Sequence, residues 1–239
     1  MEVSKLTEIS NLVLGAVELA SDIVMEIYNS DDLKVEDKHD GSPVTIADKR
    51  CHEILLNSLK SIDANIPILS EEGDTEENRE DLFWLIDPLD GTKEFINKNG
   101  DFTVNVALIE DGMPILGVVS APAVNETFIG FAGRAFKIQG KEKIEITSQK
   151  QSEEFCLVTV SKSHKSEKDQ AFINLCEKKF SEVKELPTGS SLKLCRVAEG
   201  KANIYSRLGP TYQWDIAAGQ AVVEAVSYTH LTLPTILLV

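Results

Sequence analysis

At 239 residues the chain is long enough to bury a sizeable core, and 42% apolar with 26% charged residues is the composition of an ordinary soluble globular protein. A formal net charge of −15 argues against a nucleic-acid polymer as partner, because binding a polyanion rests on clustered Lys and Arg. No stretch approaches the roughly 20 apolar residues of a membrane-spanning helix, and the N-terminus lacks a basic segment followed by an uninterrupted apolar core, so neither an anchor nor a leader is expected.

Residues 3–28 carry Leu6, Ile9, Val13, Val17, Ala20, Val24 and Ile27 at helical spacing, with Glu8, Glu18, Asp22 and Glu26 opposite. This is a packing helix. Residues 34–43 are polar and turn-rich. A second helix starts near Thr45, with Ile46, Leu55, Leu59 and Ile62 on its apolar side; Thr45 and Asp48 have the spacing of a capping box. Asp48 is either that cap or a carboxylate free to take a proton from water. Residues 66–69 form a short strand that runs into Ser70-Glu71-Glu72-Gly73. Glu71 leaves this strand just before the chain returns in the next one, so Glu71 and Asp87 are expected at the same sheet edge.

From Phe83 to Ile96 an apolar run ends on Asp87, turns through Pro88 and Gly91, and re-enters a helical pattern, which reads as strand, tight turn, helix. Asp87 and Asp90 flank the turn. The N–H groups of Gly91 and Thr92 fall at a helix start, which attracts an anion. Carboxylates for a hard cation beside N–H groups for a phosphate would build a Mg2+-dependent phosphate-ester site. The alternative is a plain capped turn with Asp90 as N-cap.

Residues 102–109, 114–121, 127–132 and 135–138 alternate as strands joined at Asp111-Gly112 and Gly133, an antiparallel meander. No glycine fingerprint for a dinucleotide or a P-loop is present. The charged stretch 140–154 is the expected lobe boundary. Beyond it come a strand at 157–160, Ser161-Lys162-Ser163-His164, and a helix at 168–178. Gly189-Ser190-Ser191 opens a helix that stops at Gly200, and a strand at 202–205 follows. A last helix opens at Trp214-Asp215, where Asp215 has the position of an N-cap. Cys51, Cys156, Cys176 and Cys195 are widely spaced without a C-x-x-C pair and read as buried free thiols of a reducing compartment, so a cytoplasmic location is expected.

Taken together, Asp48, Ser70-Glu71-Glu72, Asp87-Pro88-Leu89-Asp90-Gly91-Thr92 and Trp214-Asp215 resemble, in order and interval, the metal site of the inositol monophosphatase superfamily. Within it the chain is most similar to the bacterial 3′(2′),5′-bisphosphate nucleotidases. That likeness rests on Lys93-Glu94-Phe95-Ile96, Asn99-Gly100-Asp101-Phe102-Thr103-Val104-Asn105, Ser161-Lys162-Ser163-His164 and Gly189-Ser190-Ser191-Leu192-Lys193. The resemblance implies a layered α/β/α/β/α fold of two closely packed lobes. Residues 1–145 would form an α+β lobe with most of the metal ligands, and 146–225 an α/β lobe on the substrate side.

The activity implied is release of the 3′-phosphate of 3′-phosphoadenosine 5′-phosphate, giving AMP, in sulfur metabolism. Action on 3′-phosphoadenylyl sulfate and inhibition by lithium are implied with it. Carried over position by position, Glu71, Asp87, Asp90, Asp215 and the Leu89 carbonyl would hold two or three Mg2+ ions. Asp48 and Thr92 would orient and deprotonate water, and Gly91 and Thr92 would hold the phosphate. His164, Ser190, Lys193 and Arg207 would meet the rest of the nucleoside bisphosphate. The metal ligands Glu71, Leu89, Asp90 and Asp215 also border the substrate. Carboxylates and a carbonyl without a Cys or His cluster favour Mg2+ over Zn2+.

The rivals are an inositol- or sugar-phosphate phosphatase of the same fold and a non-catalytic metal- or nucleotide-binding relative. A peripheral inner-membrane association, known among relatives, has no visible motif. The tail departs from the family: residues 226–235 back-translate to a sequencing-library adaptor, so 226–239 are expected to be a non-native replacement of the true C-terminus.

Overall fold

The structure is a computed structural model and describes residues 1–30, 33–37, 43–73, 80–147, 154–162 and 166–226. The expectations attached to Ser163, His164, the acidic run at 74–79 and the tail beyond residue 226 fall outside the described residues.

Helix α1 (Val3–Tyr28) buries the stripe predicted from its spacing, from Leu6 to Ile27. At 1.5 Å per residue it is about 39 Å long, enough to cross a whole sheet. After the short paired strands β1 (Glu36–Asp37) and β2 (Pro43–Val44), α2 (Ile46–Ile62) lies alongside it and buries Cys51, Leu55 and Leu59. Both helices cover one face of a seven-stranded sheet of order β3-β4-β5-β6-β7-β8-β9. Its strands are β3 (Ile68–Ser70), β4 (Leu82–Asp90), β5 (Thr103–Glu110), β6 (Met113–Ala121), β7 (Glu126–Phe131), β8 (Arg134–Gln139) and β9 (Glu142–Ile146), with the five-residue helix α3 (Thr92–Ile96) between β4 and β5. From β4 to β9 the pairing is antiparallel, as the meander predicts; β3 runs parallel to β4.

The two-residue period sends Trp84, Ile86, Val104, Val106, Val118 and Ile129 toward α1 and α2. Leu85, Ala107, Ile109, Val119 and Phe128 face the other way, toward α5 (Leu192–Ala198) and α6 (Gln213–Ala225). A sheet covered on both faces needs nearly continuous apolar strands, which is how β5 reads. Gly117 on β6 and Gly130 on β7 let α6 lie directly on the sheet. A Cβ at Gly117 would stand 2.2 Å from the Ala218 carbonyl oxygen, and one at Gly130 2.5 Å from the Val222 Cα.

A second sheet, of order β11-β10-β12, is wholly parallel and consists of β10 (Phe155–Ser161), β11 (Glu182–Thr188) and β12 (Ile204–Tyr205). Helix α4 (Glu167–Lys179), capped by Ser166 and Asp169, packs on it around Cys156, Val158, Ile173 and Cys176. On the opposite side α5 touches β10, β12 and α6. The result is the α/β/α/β/α layering that the resemblance implies. All four cysteines are buried and free, and among the described residues no helix is long and apolar enough to cross a membrane.

The structure amends the sequence reading at the sheet margins. β9 lies inside the stretch expected as a linker, and β11 was not expected at all. Both are edge strands, where Glu and Lys on the open side and Pro187 mask the alternation.

Candidate active site

The C-terminal ends of β3 and β4 build the floor. The Glu71 N–H donates to the Ile86 carbonyl at 3.2 Å, which sets Glu71 beside Asp87 at one sheet edge, as the sequence predicts. The expected turn is instead an extension of β4, with a bulge between Asp87 and Asp90 where Pro88 has no N–H to offer the ladder. Asp90 therefore ends a strand and is not a helix N-cap. Gly91 takes that position with φ +91°, a conformation suited to glycine, and a Cβ there would stand 3.2 Å from the Asp101 carbonyl oxygen.

Asp87 is buried; its Oδ1 accepts the Leu89 N–H at 3.1 Å, while Oδ2 has no donor among the described residues. Burial, then the nearby Glu71, Asp90 and Asp215 carboxylates, push the Asp87 carboxyl well above its ordinary range. Burial and Asp215 likewise raise Asp90 to about 6, even though Lys193 and Ser191 pull it down.

Asp48 keeps the expected capping box: its Oδ2 accepts the Thr45 N–H and hydroxyl, both at 2.7 Å. Its second oxygen, Oδ1, faces the Thr92 hydroxyl at 3.2 Å, and that hydroxyl also lies 3.3 Å from the Leu89 carbonyl oxygen. The capping and functional readings of Asp48 thus use different oxygens of one carboxylate. Burial raises its pKa against the hydrogen bonds from Thr45.

The far wall comes from the second sheet and its helices. Asp90 Oδ2 accepts the Ser191 N–H at 2.6 Å and its hydroxyl at 2.9 Å. Asp215 sits in the first turn of α6 but is not its N-cap: Tyr212 holds that position, and Asp215 Oδ2 accepts the Tyr212 N–H at 3.1 Å and the Thr211 hydroxyl at 2.8 Å. Arg207 stands 3.8 Å from the same oxygen. Lys193 is buried, donates to the Ser190 carbonyl at 2.8 Å and lies 5.6 Å from the Tyr205 ring centre; burial lowers its pKa. Ser190 adopts φ +46°, and its hydroxyl is buried without a partner among the described residues.

An open pocket of about 170 Å³ joins these walls and is lined by Asp90, Gly91, Ser190, Lys193, Arg207 and Asp215, among others. Of the sequence-predicted residues, Asp90, Gly91, Ser190, Lys193, Arg207 and Asp215 thus meet at one pocket, while Asp48, Glu71, Asp87, Leu89 and Thr92 lie outside its lining.

Motif residues to which the sequence assigns no role also meet here. The Asp101 carboxylate accepts the Gly189 N–H at 3.0 Å and pairs with Lys162 at 3.2 Å, so three separate segments lock together next to Ser161 and Ser190, which line the pocket. Gly189 permits this approach, since a Cβ there would stand 2.5 Å from the Asp101 Cβ. Glu94 and Tyr205 also line the pocket. The signal available in the sequence was the clustering of small and charged residues in those segments.

The donor set suits a hard divalent cation. The carboxylates are oxygen donors, they raise one another's proton affinity, and Asp87 Oδ2 is buried with no donor of its own. Among the described residues no three Asp, Glu, His or Cys side chains stand close enough to cage an ion as they are. Asp90 is turned to Ser191, Asp215 to Thr211 and Asp48 to Thr45.

A family profile described as the inositol monophosphatase family matches residues 5–234. The chain is 41% identical over 212 residues to the 3′(2′),5′-bisphosphate nucleotidase CysQ of Escherichia coli K12, covering 86% of this chain and 83% of that one. It is 41% identical to the CysQ of Salmonella typhimurium, covering 88% and 85%. Among solved structures, CysQ from Bacteroides thetaiotaomicron superimposes with a TM-score of 0.81 at 33% identity, covering 92% of this chain and 86% of that one. An inositol monophosphatase of Thermotoga maritima superimposes at 0.72 with 27% identity, covering 90% and 82%.

Proposed function

The chain belongs to the inositol monophosphatase family, and from that premise we propose that it removes the 3′-phosphate of 3′-phosphoadenosine 5′-phosphate, giving AMP and phosphate. It is a 3′(2′),5′-bisphosphate nucleotidase. The observation that carries the substrate choice is the interlocked rim. Asp101, Lys162 and Gly189 come from three segments that resemble nucleotidases and bind one another, and their chain neighbours Ser161 and Ser190 line the same pocket as Asp90 and Asp215.

In this reading Glu71, Asp87, Asp90, Asp215 and the Leu89 carbonyl hold two or three Mg2+ ions. When bound, such ions neutralise charge on the phosphate and lower the pKa of water. The residues of the chain do the rest. Thr92 is poised between water and Asp48: its hydroxyl donates to Asp48 Oδ1, so its oxygen can accept from the attacking water. The raised pKa of Asp48 makes it a stronger base than an ordinary Asp. Attack at phosphorus would form the new P–O bond as the bond to the ribose 3′-oxygen breaks. The proton of the attacking water passes through Thr92 to Asp48, the 3′-oxygen leaves as the hydroxyl of AMP by taking a proton from solvent, and the N–H groups of Gly91 and Thr92 would hold the phosphate.

Lys193, Arg207 and Ser190 meet the second phosphate and the nucleoside, with His164 at the nucleoside end. A guanidinium and a buried ammonium on one wall give local positive charge in a chain whose net charge is −15. We further propose two lobes, 1–145 and 146–225, with the site between them, and a location in the cytoplasm, in keeping with four free thiols.

Phosphate release with Mg2+ from adenosine 3′,5′-bisphosphate, inositol 1-phosphate and fructose 1,6-bisphosphate tests the proposal. The adenosine bisphosphate is expected to turn over fastest. Faster release from an inositol or sugar phosphate would overturn it.

A further inference from the structure

Ser191 stands where a helix N-cap stands, immediately before α5, and serine there ordinarily binds a free N–H of its own helix. Here it makes no such bond. Its hydroxyl lies 2.9 Å from Asp90 Oδ2 and 2.7 Å from the Asp215 backbone carbonyl oxygen. The oxygen is itself approached by Asn105 Nδ2 at 3.0 Å, from the strand next to Asp87. All of this is buried or half-buried. A hydroxyl has one proton to give. With Asn105 donating to the oxygen, that proton is directed to Asp90 or to the start of α6. With its N–H on Asp90 Oδ2 at 2.6 Å and its hydroxyl on the Asp215 carbonyl oxygen at 2.7 Å, this one residue ties the end of β4 to the first turn of α6, the two places from which Asp90 and Asp215 approach each other from different layers.

We propose that Ser191 is a positioning residue that fixes Asp90 relative to Asp215, so that affinity for the divalent cation depends on its hydroxyl while affinity for the nucleotide does not. This rests on the reading of Asp90 and Asp215 as metal ligands. Groups that orient ligands in this way commonly change metal affinity 10- to 100-fold when removed. Ser191→Ala keeps the backbone N–H that Asp90 also uses, so it removes the tie and not the strand–helix contact. Asn105→Ala leaves Ser191 in place but frees its proton to wander.

The test measures Mn2+ binding by calorimetry in the absence of substrate, together with the Mg2+ concentration for half-maximal activity and the KM for adenosine 3′,5′-bisphosphate. Ser191→Ala is expected to weaken Mn2+ binding and raise the Mg2+ requirement about tenfold with KM within twofold of wild type. Asn105→Ala is expected to move the same two readings less, and the double variant no further than Ser191→Ala alone. Unchanged metal affinity in Ser191→Ala, or a loss that falls equally on KM, overturns the inference. If Ser191→Ala fails to fold, Asn105→Ala carries the same test. Asp90→Asn separates the two levels: if it binds Mn2+ as wild type does, the metal-ligand reading itself has failed.

Discussion

Helix α5 has a cluster of buried charge at each end, and the two are built on opposite plans. At and just beyond its C-terminal end Glu126 and Glu199 are matched by Lys137 and Arg196, with Lys137 to Glu199 at 3.2 Å and Arg196 to Glu126 at 2.7 Å, and Lys201 adds a further contact to Glu199 at 3.2 Å. Burial opposes the charged forms of Glu126, Lys137 and Arg196, yet the partners win: Glu126 is lowered, and Lys137 and Arg196 are raised. At the N-terminal end Asp87, Asp90, Asp215 and Glu71 approach one another with Lys193 as the buried base, and the same burial raises Asp87 and Asp90. Burial alone does not distinguish a structural charge from a working one. The sign of the neighbours does. A surplus of buried acid costs stability, and a protein that retains it has a use for a cation there.

The comparison breaks most sharply at Asp90. Asp90→Asn is expected to cut phosphate release by roughly three orders of magnitude or more, the worth of several kcal/mol of charge stabilisation. Its thermal midpoint should be equal to or above that of wild type, because one crowded acid is gone. A stable, fully active variant would put the two clusters in one class. Next, Lys137→Met leaves Glu126 and Glu199 short of a partner and should cost about 3 kcal/mol in urea unfolding with kcat of the folded fraction unchanged.

The pH dependence should also run in opposite directions. Asp90 titrates from an ordinary 3.8 to about 6 in the fold, so the folded state holds the proton more tightly. Its stabilising effect is complete below pH 3.8 and is lost as the pH rises through about 6. Chelator-treated protein should lose a few degrees of thermal midpoint across that window, with Mg2+ restoring them and Asp90→Asn showing a smaller loss, the remainder coming from Asp87 and Asp48. Glu126, lowered below its ordinary 4.5, gives stability above that value that is lost on acidification. Smallest of all, Arg134→Ala removes an exposed pair with Glu145 at 2.9 Å and should change neither midpoint nor rate measurably in a melt or a phosphate assay.

The elements legible in the sequence were the long, strongly apolar ones. The stripe from Leu6 to Ile27 and the nearly continuous apolar runs of β5 and β6 leave few alternatives. The acids at the site were legible because each sits at the end of an element, where chain order alone suggests a shared edge. For two of them the structure removes the alternative of a plain N-cap. Asp90 and Asp215 look like N-caps by residue type, and only the geometry shows Gly91 and Tyr212 in those places. Ser191 is the reverse case. It does occupy an N-cap, and what it binds is set by Asn105, 86 residues earlier. No local pattern encodes a contact between residues so far apart. β9 and β11 escaped because edge strands carry charge on the open side.

The close seating of α6 on Gly117 and Gly130 has a consequence for inheritance. Neither glycine lines the pocket, and both look expendable beside an aspartate. Yet every missense change at a glycine codon adds at least one carbon, and at these two positions that carbon meets the backbone of the helix that carries Asp215. A saturation scan of the gene should therefore find them nearly as intolerant as the acids, two hidden points of failure through which a single-nucleotide error on the sheet silences chemistry performed at its edge.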